Sequence, residues 1–443
     1  MTLTRRQFIT GMVGAGVVAT SGGLSLSGCA RTSAETELLA ALRAIAPNAT
    51  LRMLNVPKDQ VISGFGFSDA PYEDYVTFNR SFDLPRGSLL YQNSRTSACM
   101  LTPGTESNVL IRLLLLNLIT GATTTLLDKA LDDAKHYCIY DARLNDSVVT
   151  WVECDMTLGE WSVYAARLLG TAMGTPYKLE EGHIDYEPPL LCVYDSTVYW
   201  TVMPDPYGPA NTEDSFLRAA KITGNGVSDQ RTVYTSHGRM ITTPQATEGL
   251  ITIVPRVDTN ELRYQLTALS TADDSIVAVS ILPAGLRVSD CVYMRGDFTF
   301  CIEGNYSSAE GLRFFGTYEQ LEDGSVLHIN RVPASPALLI NNCLIIKSTI
   351  NIVGFDLYNR HSFIVDKPND CADYGDLLAG CGVQDNLVVY TTIVDKSNAE
   401  KSFIQVRIYN RSEPGQKPPV VEEVPPDDGE TPTDGEETPT STT

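Results

Sequence analysis

From about Leu51 onward, apolar and polar positions alternate in short runs rich in Val, Ile, Tyr, Thr and Trp, and turns of Gly, Asn and Asp break the runs. No long helical period appears, so the pattern predicts an all-β body. One element recurs, an apolar or alternating run that enters a polar turn. It ends at Gly121 (LLLLNLITG), Gly170, Gly224, Thr271, Gly324, Arg360 and Arg411 (FIQVRIYNR). A second run precedes it as SACML, VVTWVE, VYWTV, LITIV, FTFCI, CLIIK and LVVYTT. A third precedes that as YCIYD, LCVYD and DCVYM, and a fourth follows the turn in strings such as SIVAVSI and HSFIVD. Four strands per unit over seven units predict a β-propeller of seven four-stranded blades.

The physics supports that reading. A lone four-stranded meander leaves both faces wet, and stacking around an axis covers them. Ring closure also protects edges that would otherwise pair with other chains. Closure needs a strand from the opposite terminus, with residues 61–82 as the main candidates and 419–424 as lesser ones. A pair of β-sandwich domains is the rival, but it gives no reason for a four-strand repeat from about residue 85 to 411.

The ends of the chain read differently. In AETELLAALRAIAP, Leu38, Leu39, Leu42 and Ile45 recur at helical spacing, with Ser33 to cap and Pro47 to stop a short helix. Residues 413–443 carry nine acids and one lysine among Pro and Thr, a composition that predicts a disordered, solvated tail. At the start, Arg5 and Arg6 precede Phe8 and Ile9. Residues 11–26 then form a soft apolar stretch holding five glycines. That stretch falls short of the roughly 20 apolar residues of a membrane span.

These first residues resemble the twin-arginine export signal of bacteria, which implies export of an already folded body. The following Leu26-Ser27-Gly28-Cys29 resembles the bacterial lipobox, which implies lipidation of Cys29, cleavage before it, and a membrane anchor on the extracytoplasmic face. Ordinary cleavage with Cys29 incidental is the alternative. The expected division is a signal peptide over 1–28, a lipidated N-terminus and helix linker over 29–50, a propeller over 51–412, and the tail over 413–443. The repeat resembles TolB-like and WD40-like propellers in architecture, without their Ser-Pro-Asp-Gly turns or Trp-Asp ends. The whole is similar to the twin-arginine-exported propeller lipoproteins of bacteria.

The chain has 54 acidic and 33 basic residues, a net charge of −21, which argues against nucleic acid as a partner. Of ten cysteines, nine remain once Cys29 is lipidated, so at least one stays unpaired or bonds another chain. Cys291 and Cys301 flank the hairpin CVYMRGDFTFC, and Cys371 and Cys381 lie ten residues apart. Both pairs are candidate disulfides, although small buried strand residues is the stronger reading. No CxxC, HxH, HExxH, GxSxG, Walker A or GxGxxG string occurs, and no cofactor, metal or catalytic residue is expected. The histidines His136, His183, His237, His328 and His361 read as strand or loop residues.

Two loops stand out. Residues 368–376 bring Asp370, Asp373 and Asp376 together, as a Ca2+ loop or a solvated turn. Residues 203–215 form a long loop suited to partner contact. Trp151, Trp161 and Trp200 read as blade core. The expected function is a membrane-anchored binding or scaffold module for a protein or polysaccharide of the cell envelope. The alternative is a glycan-active lyase or hydrolase with carboxylates in the propeller channel. Paired acids and aromatic rings in that channel would favour the enzyme, and small apolar side chains would favour binding.

Overall fold

The computed structural model describes residues 33–412, apart from 105–109, 133–136, 258, 260, 308, 322 and 331–336. Arg5, Arg6, Phe8, Cys29, His136, residues 419–424 and the tail over 413–443 lie outside the described residues. The chain divides into a unit ending at Pro47 and one beginning at Asn48. In the first, Ser33–Ile45 is an α-helix with Glu35 in its first turn and Arg43 in its last, charges that complement the helix dipole. Arg43 Nη1 donates to Pro47 O at 3.0 Å, closing the end that proline enforces. Among the described residues no helix is long and apolar enough to cross a membrane.

Among the described residues the second unit is all-β, and its strands form seven sheets. In chain order they are built on residues 89–127, 137–182, 186–236, 245–281, 288–329, 338–365 and 377–411, called the first to seventh sheets below. Most of the polar turns singled out above fall just after a long strand, for example Gly121 after Leu110–Asn117 and Gly170 after Glu160–Leu169, whereas Arg411 is the last residue of Phe403–Arg411. The inner hairpins are tight. Glu248-Gly249 and Arg295-Gly296 join paired strands with both residues at positive φ, the two-residue turn whose twist matches the strands it joins.

Seven buried clusters hold the sheets together, one between each neighbouring pair. Leu101, Leu113 and Trp151 join the first sheet to the second, and Trp161, Val163 and Trp200 join the second to the third. The series continues round to Leu90, Leu114, Val388 and Val406, which join the seventh sheet back to the first. Every sheet therefore buries both faces, and the β-propeller closes on itself. The three tryptophans are 2% exposed or less and belong to this core, as expected.

Closure uses the N-terminal segment. Val76–Pro85 pairs antiparallel with Phe403–Arg411 and puts Phe82 opposite Val406, so the closing strand overlaps the expected 61–82 window. On its way there the segment adds a parallel outer strand to three other sheets. Thr50–Met53 lies along Ile276–Ile281, Val61–Ser63 along Val326–Ile329, and Ser68–Asp69 along His361–Val365.

These additions correct the expectation of equal four-stranded blades. Two sheets hold four strands, four hold five, and one holds six. The candidate disulfides need correcting too, because none of the four cysteines is joined in a disulfide. Cys291 lies opposite Phe300, and Cys301 opposite Asp290, so successive positions send the two sulfurs to opposite faces of the sheet. Cys371 bridges to Ile393 and takes a hydrogen bond from Lys367 Nζ at 3.4 Å, whereas Cys381 Sγ donates to Gln245 Oε1 of the fourth sheet.

Candidate functional site

The innermost segments of the sheets meet at the centre, where side-chain bonds tie them and Gly382–Val383 pairs parallel with Leu338–Ile340. Leu191 N of the third sheet donates to Asp141 Oδ2 of the second at 3.2 Å. Val383 N donates to Thr247 Oγ1 at 3.0 Å, and Gln92 Nε2 donates to Asn386 Oδ1 at 2.5 Å. Between these strands lies a cavity of about 410 Å³, lined by residues of the first to fourth and seventh sheets.

Its chemistry centres on Arg143, at the end of the strand Tyr137–Leu144. The guanidinium lies 3.7 Å from the centre of the Tyr91 ring and pairs with Asp141. Burial works most strongly against the cation, but Asp141, with Tyr91 and Cys99, together offset it and hold the Arg143 pKa above its usual value. Burial pushes the Asp141 pKa up, against the pull of Arg143 and of the backbone N–H of Leu191. The pair is nearly neutral as a unit, with the cation facing the cavity.

Amides surround it. Gln92, Asn93, Asn145, Gln245 and Gln384 all line the space. Asn145 is committed, since its Oδ1 accepts from Ser147 N and Val148 N and its Nδ2 donates to Asp195 O. Gln92 Oε1 and Asn93 Nδ2 are buried with no partner among the described residues. Buried polar atoms left unpaired are rare and point to water or a ligand. A Cβ added at Gly380 would stand 2.8 Å from Gln92 Oε1, so glycine there leaves room beside that oxygen. Cys192 and Cys381 complete the wall. Burial raises the Cys381 thiol to about 11 and the Cys192 thiol further, so neither offers a thiolate at neutral pH. The site can thus donate and accept hydrogen bonds and stack on tyrosine, but it lacks an activated nucleophile. Its lining is neither the paired carboxylates of the enzyme expectation nor the small apolar wall of the binding one.

Carboxylates do pair elsewhere. A second cavity of about 410 Å³ is lined by Arg295, Asp297 and Glu319, where the fifth sheet meets the sixth. Arg295 reaches Glu319 at 3.0 Å, Thr299 Oγ1 also bonds it, and Arg52 reaches Asp297 at 2.5 Å. Burial pushes the Glu319 pKa up, while Thr299 and Arg295 oppose the shift.

The loops resolve less dramatically. Asp376 is fully buried against Arg407 at 2.5 Å, whereas Asp370 and Asp373 are exposed, so the three carboxylates of the 368–376 loop do not converge. Lys347 Nζ donates to Tyr374 O at 2.6 Å and to Asp376 O at 2.5 Å, which makes the loop a structural turn. Among the described residues no group of His, Cys, Asp or Glu is placed to hold a metal ion. In the 203–215 loop, Tyr207 is 96% exposed, and Glu213 accepts from Tyr186 Oη at 2.7 Å.

With this geometry in hand, the chain can be set beside known proteins. No protein-family model matches it, and no curated protein does. Among solved structures it is similar to a prolyl endopeptidase, with a TM-score of 0.47 and 12% identity over 81% of this chain and 49% of that one. The chain therefore spans about half the length of that endopeptidase. The polysaccharide lyase Uly1 has a TM-score of 0.48 and 9% identity, over 75% of this chain and 99% of the lyase. BamB from Moraxella catarrhalis has a TM-score of 0.39 and 11% identity, over 76% of this chain and 99% of BamB. At such identities the chemistry of those proteins stays with them, and the propeller here stands on its own sheets.

Sequence reasoning passed over Arg143, Gln92 and Asn93. One signal was present. In YCIYDARLN, Arg143 puts a charge inside the strand Tyr137–Leu144, whereas the counterpart strand Leu191–Tyr194 ends before its Asp195. A charge at a position where the repeat wants none marks a place where the fold keeps something polar.

Proposed function

We propose that this chain is an exported, lipid-anchored propeller, with each sheet one of seven blades, that binds a protein or polysaccharide partner at the cell envelope. Arg5 and Arg6 direct export, Cys29 carries the lipid, and the channel cavity takes part of the partner. The observation that carries the reading is the pair of unpartnered amide atoms, Gln92 Oε1 and Asn93 Nδ2, beside the tyrosine-stacked Arg143. A group with both a donor and an acceptor would satisfy both amides, as a peptide unit or a sugar hydroxyl does. Such preformed concave sites with a few convergent polar groups are where ligands usually bind.

The address is tested separately from the binding. Cys29→Ala should move the protein from the membrane fraction to the soluble one, and Arg5→Lys with Arg6→Lys should hold it in the cytoplasm. Binding is tested by cross-linking the tagged, lipidated protein in cells and identifying what is attached. A reproducible envelope partner supports the reading, and a repeated blank with the protein confirmed in the membrane fraction sinks it.

One observation favours a second reading, a glycan-active lyase or hydrolase. Asp297 and Glu319 line one cavity, and burial favours a protonated Glu319, the state a general acid needs. Turnover of cell-wall or host glycans that disappears in Glu319→Gln would establish it.

A further inference from the structure

Cys138 and Cys154 face each other across the antiparallel strands Tyr137–Leu144 and Val148–Asp155. Directly opposed residues of such a ladder have Cα atoms about 4.5–5.5 Å apart and send their side chains to the same face. A disulfide spans Cα separations of roughly 4.4–6.8 Å, so the backbone already lies within its reach. Cys138 Sγ sits 3.5 Å from Cys154 O, which brings the sulfur over its partner residue.

No other two cysteines among the described residues share a register. Cys99 lies opposite Tyr91 and Leu115, Cys192 opposite Tyr199, and Cys343 opposite Ile340 and Asp356. Cys291 and Cys301 leave opposite faces, as described above. Both thiols of the opposed pair are buried, at 6% and 1% exposure.

We propose that Cys138 and Cys154 form an oxidisable dithiol that closes to a cross-strand disulfide. The oxidant is a second disulfide, R–S–S–R, of a small molecule or an oxidoreductase. One cysteine thiolate attacks it, forms a mixed disulfide and expels RS⁻. The other cysteine thiolate then attacks the protein sulfur of that mixed disulfide and expels the second RS⁻. The two cysteine protons end on two RSH, and the two electrons lost by the cysteines reduce the oxidant. The new bond fastens the open end of the hairpin and ties the strand that carries Asp141 and Arg143 to its neighbour. The redox state of the compartment thereby sets how firmly that wall of the channel is held. Burial pushes Cys154 up to about 11 and Cys138 upward, so the folded dithiol reacts slowly at neutral pH and faster as pH rises.

The test uses the full chain, held native and also refolded from urea, in oxidised glutathione. It is then unfolded, alkylated and mapped by mass spectrometry without reduction. The expected result is a peptide linking Cys138 to Cys154, two hydrogens lighter than its parts and abolished by dithiothreitol, with every other cysteine alkylated. Native oxidation should quicken about tenfold per pH unit below the thiol pKa. Full alkylation of both residues in both arms overturns the proposal, as does a link from either one to a different cysteine. Neither readout needs a variant that might misfold, and neither depends on where the protein resides or on what the channel binds.

Discussion

The outer edges of the second and third sheets end differently from those of the fourth, fifth and sixth. Tyr177–Gly182 reads YKLEEG and Gly226–Ser236 reads GVSDQRTVYTS, and neither bears a further strand among the described residues. Charge along these strands discourages another chain from pairing there. The fourth strands IVAVSI, VLHI and HSFIV carry almost none, and each is covered by a parallel strand from residues 50–69. The edges of these five sheets are thus protected in two ways, by their own charge or by borrowed backbone. The borrowed backbone then runs on to close the ring as Val76–Pro85.

Breaking closure should give the largest effect. Val406 is fully buried opposite Phe82, between the seventh sheet and the first. Val406→Asp places a charge where nothing pairs it, and a loss of more than about 4 kcal/mol is expected, seen as lost cooperativity in urea unfolding. Loosening the covering segment should matter less. Arg52 holds Asp297 of the neighbouring sheet at 2.5 Å, but its side chain is 34% exposed. Arg52→Ala is therefore expected to lower stability by about 1–2 kcal/mol, read from the same urea midpoint.

A pH scan sharpens the comparison further. His328 lies opposite Ser63 of the covering strand, stacks on Tyr318 and shares a hydrogen bond with Phe315 O at 3.1 Å. Burial pulls its pKa below the ordinary histidine value of about 6.5, although that bond opposes the shift. The unfolded chain binds the proton more readily, so stability is full above about 6.5 and is lost as pH falls from there through the folded pKa. His328→Gln should flatten this part of the profile. An unchanged slope would place the titrating group elsewhere. The smallest change in stability belongs to the charged edge. Lys178→Val with Glu181→Val removes an exposed pair 3.3 Å apart. Stability should move by less than about 0.5 kcal/mol, while light scattering shows new self-association.

The sequence made the repeat legible because long strands run into glycine or polar turns at intervals of 36 to 54 residues, from Gly121 to Arg411. A closing strand from the N-terminal side was also within reach, since an open propeller would leave FIQVRIYNR as a bare edge. The parallel strands on three sheets were not legible. Thr50–Met53, Val61–Ser63 and Ser68–Asp69 are only two to four residues long, too short for any period to show. The channel site was hidden for a different reason. Gln92 and Asn93 lie with the first sheet, Arg143 on the second and Gly380 and Cys381 with the seventh, and only the folded ring brings them to one cavity. Cysteine spacing misled for a related reason. Residues ten apart in a hairpin can point to opposite faces, whereas Cys138 and Cys154, further apart in sequence, fall in register.

The central claim is that the channel cavity engages a partner, and Asn93 tests it most directly because its Nδ2 bonds nothing within the described fold. Removing it should leave the protein's own stability unchanged. Tagged wild type and Asn93→Ala would be cross-linked in the same cells, and the recovered partner quantified by mass spectrometry. The account predicts about tenfold less partner with Asn93→Ala at equal membrane-fraction abundance, the effect of losing one hydrogen bond worth roughly 1.4 kcal/mol. Equal recovery from the two proteins would contradict it and move the binding surface out of the channel.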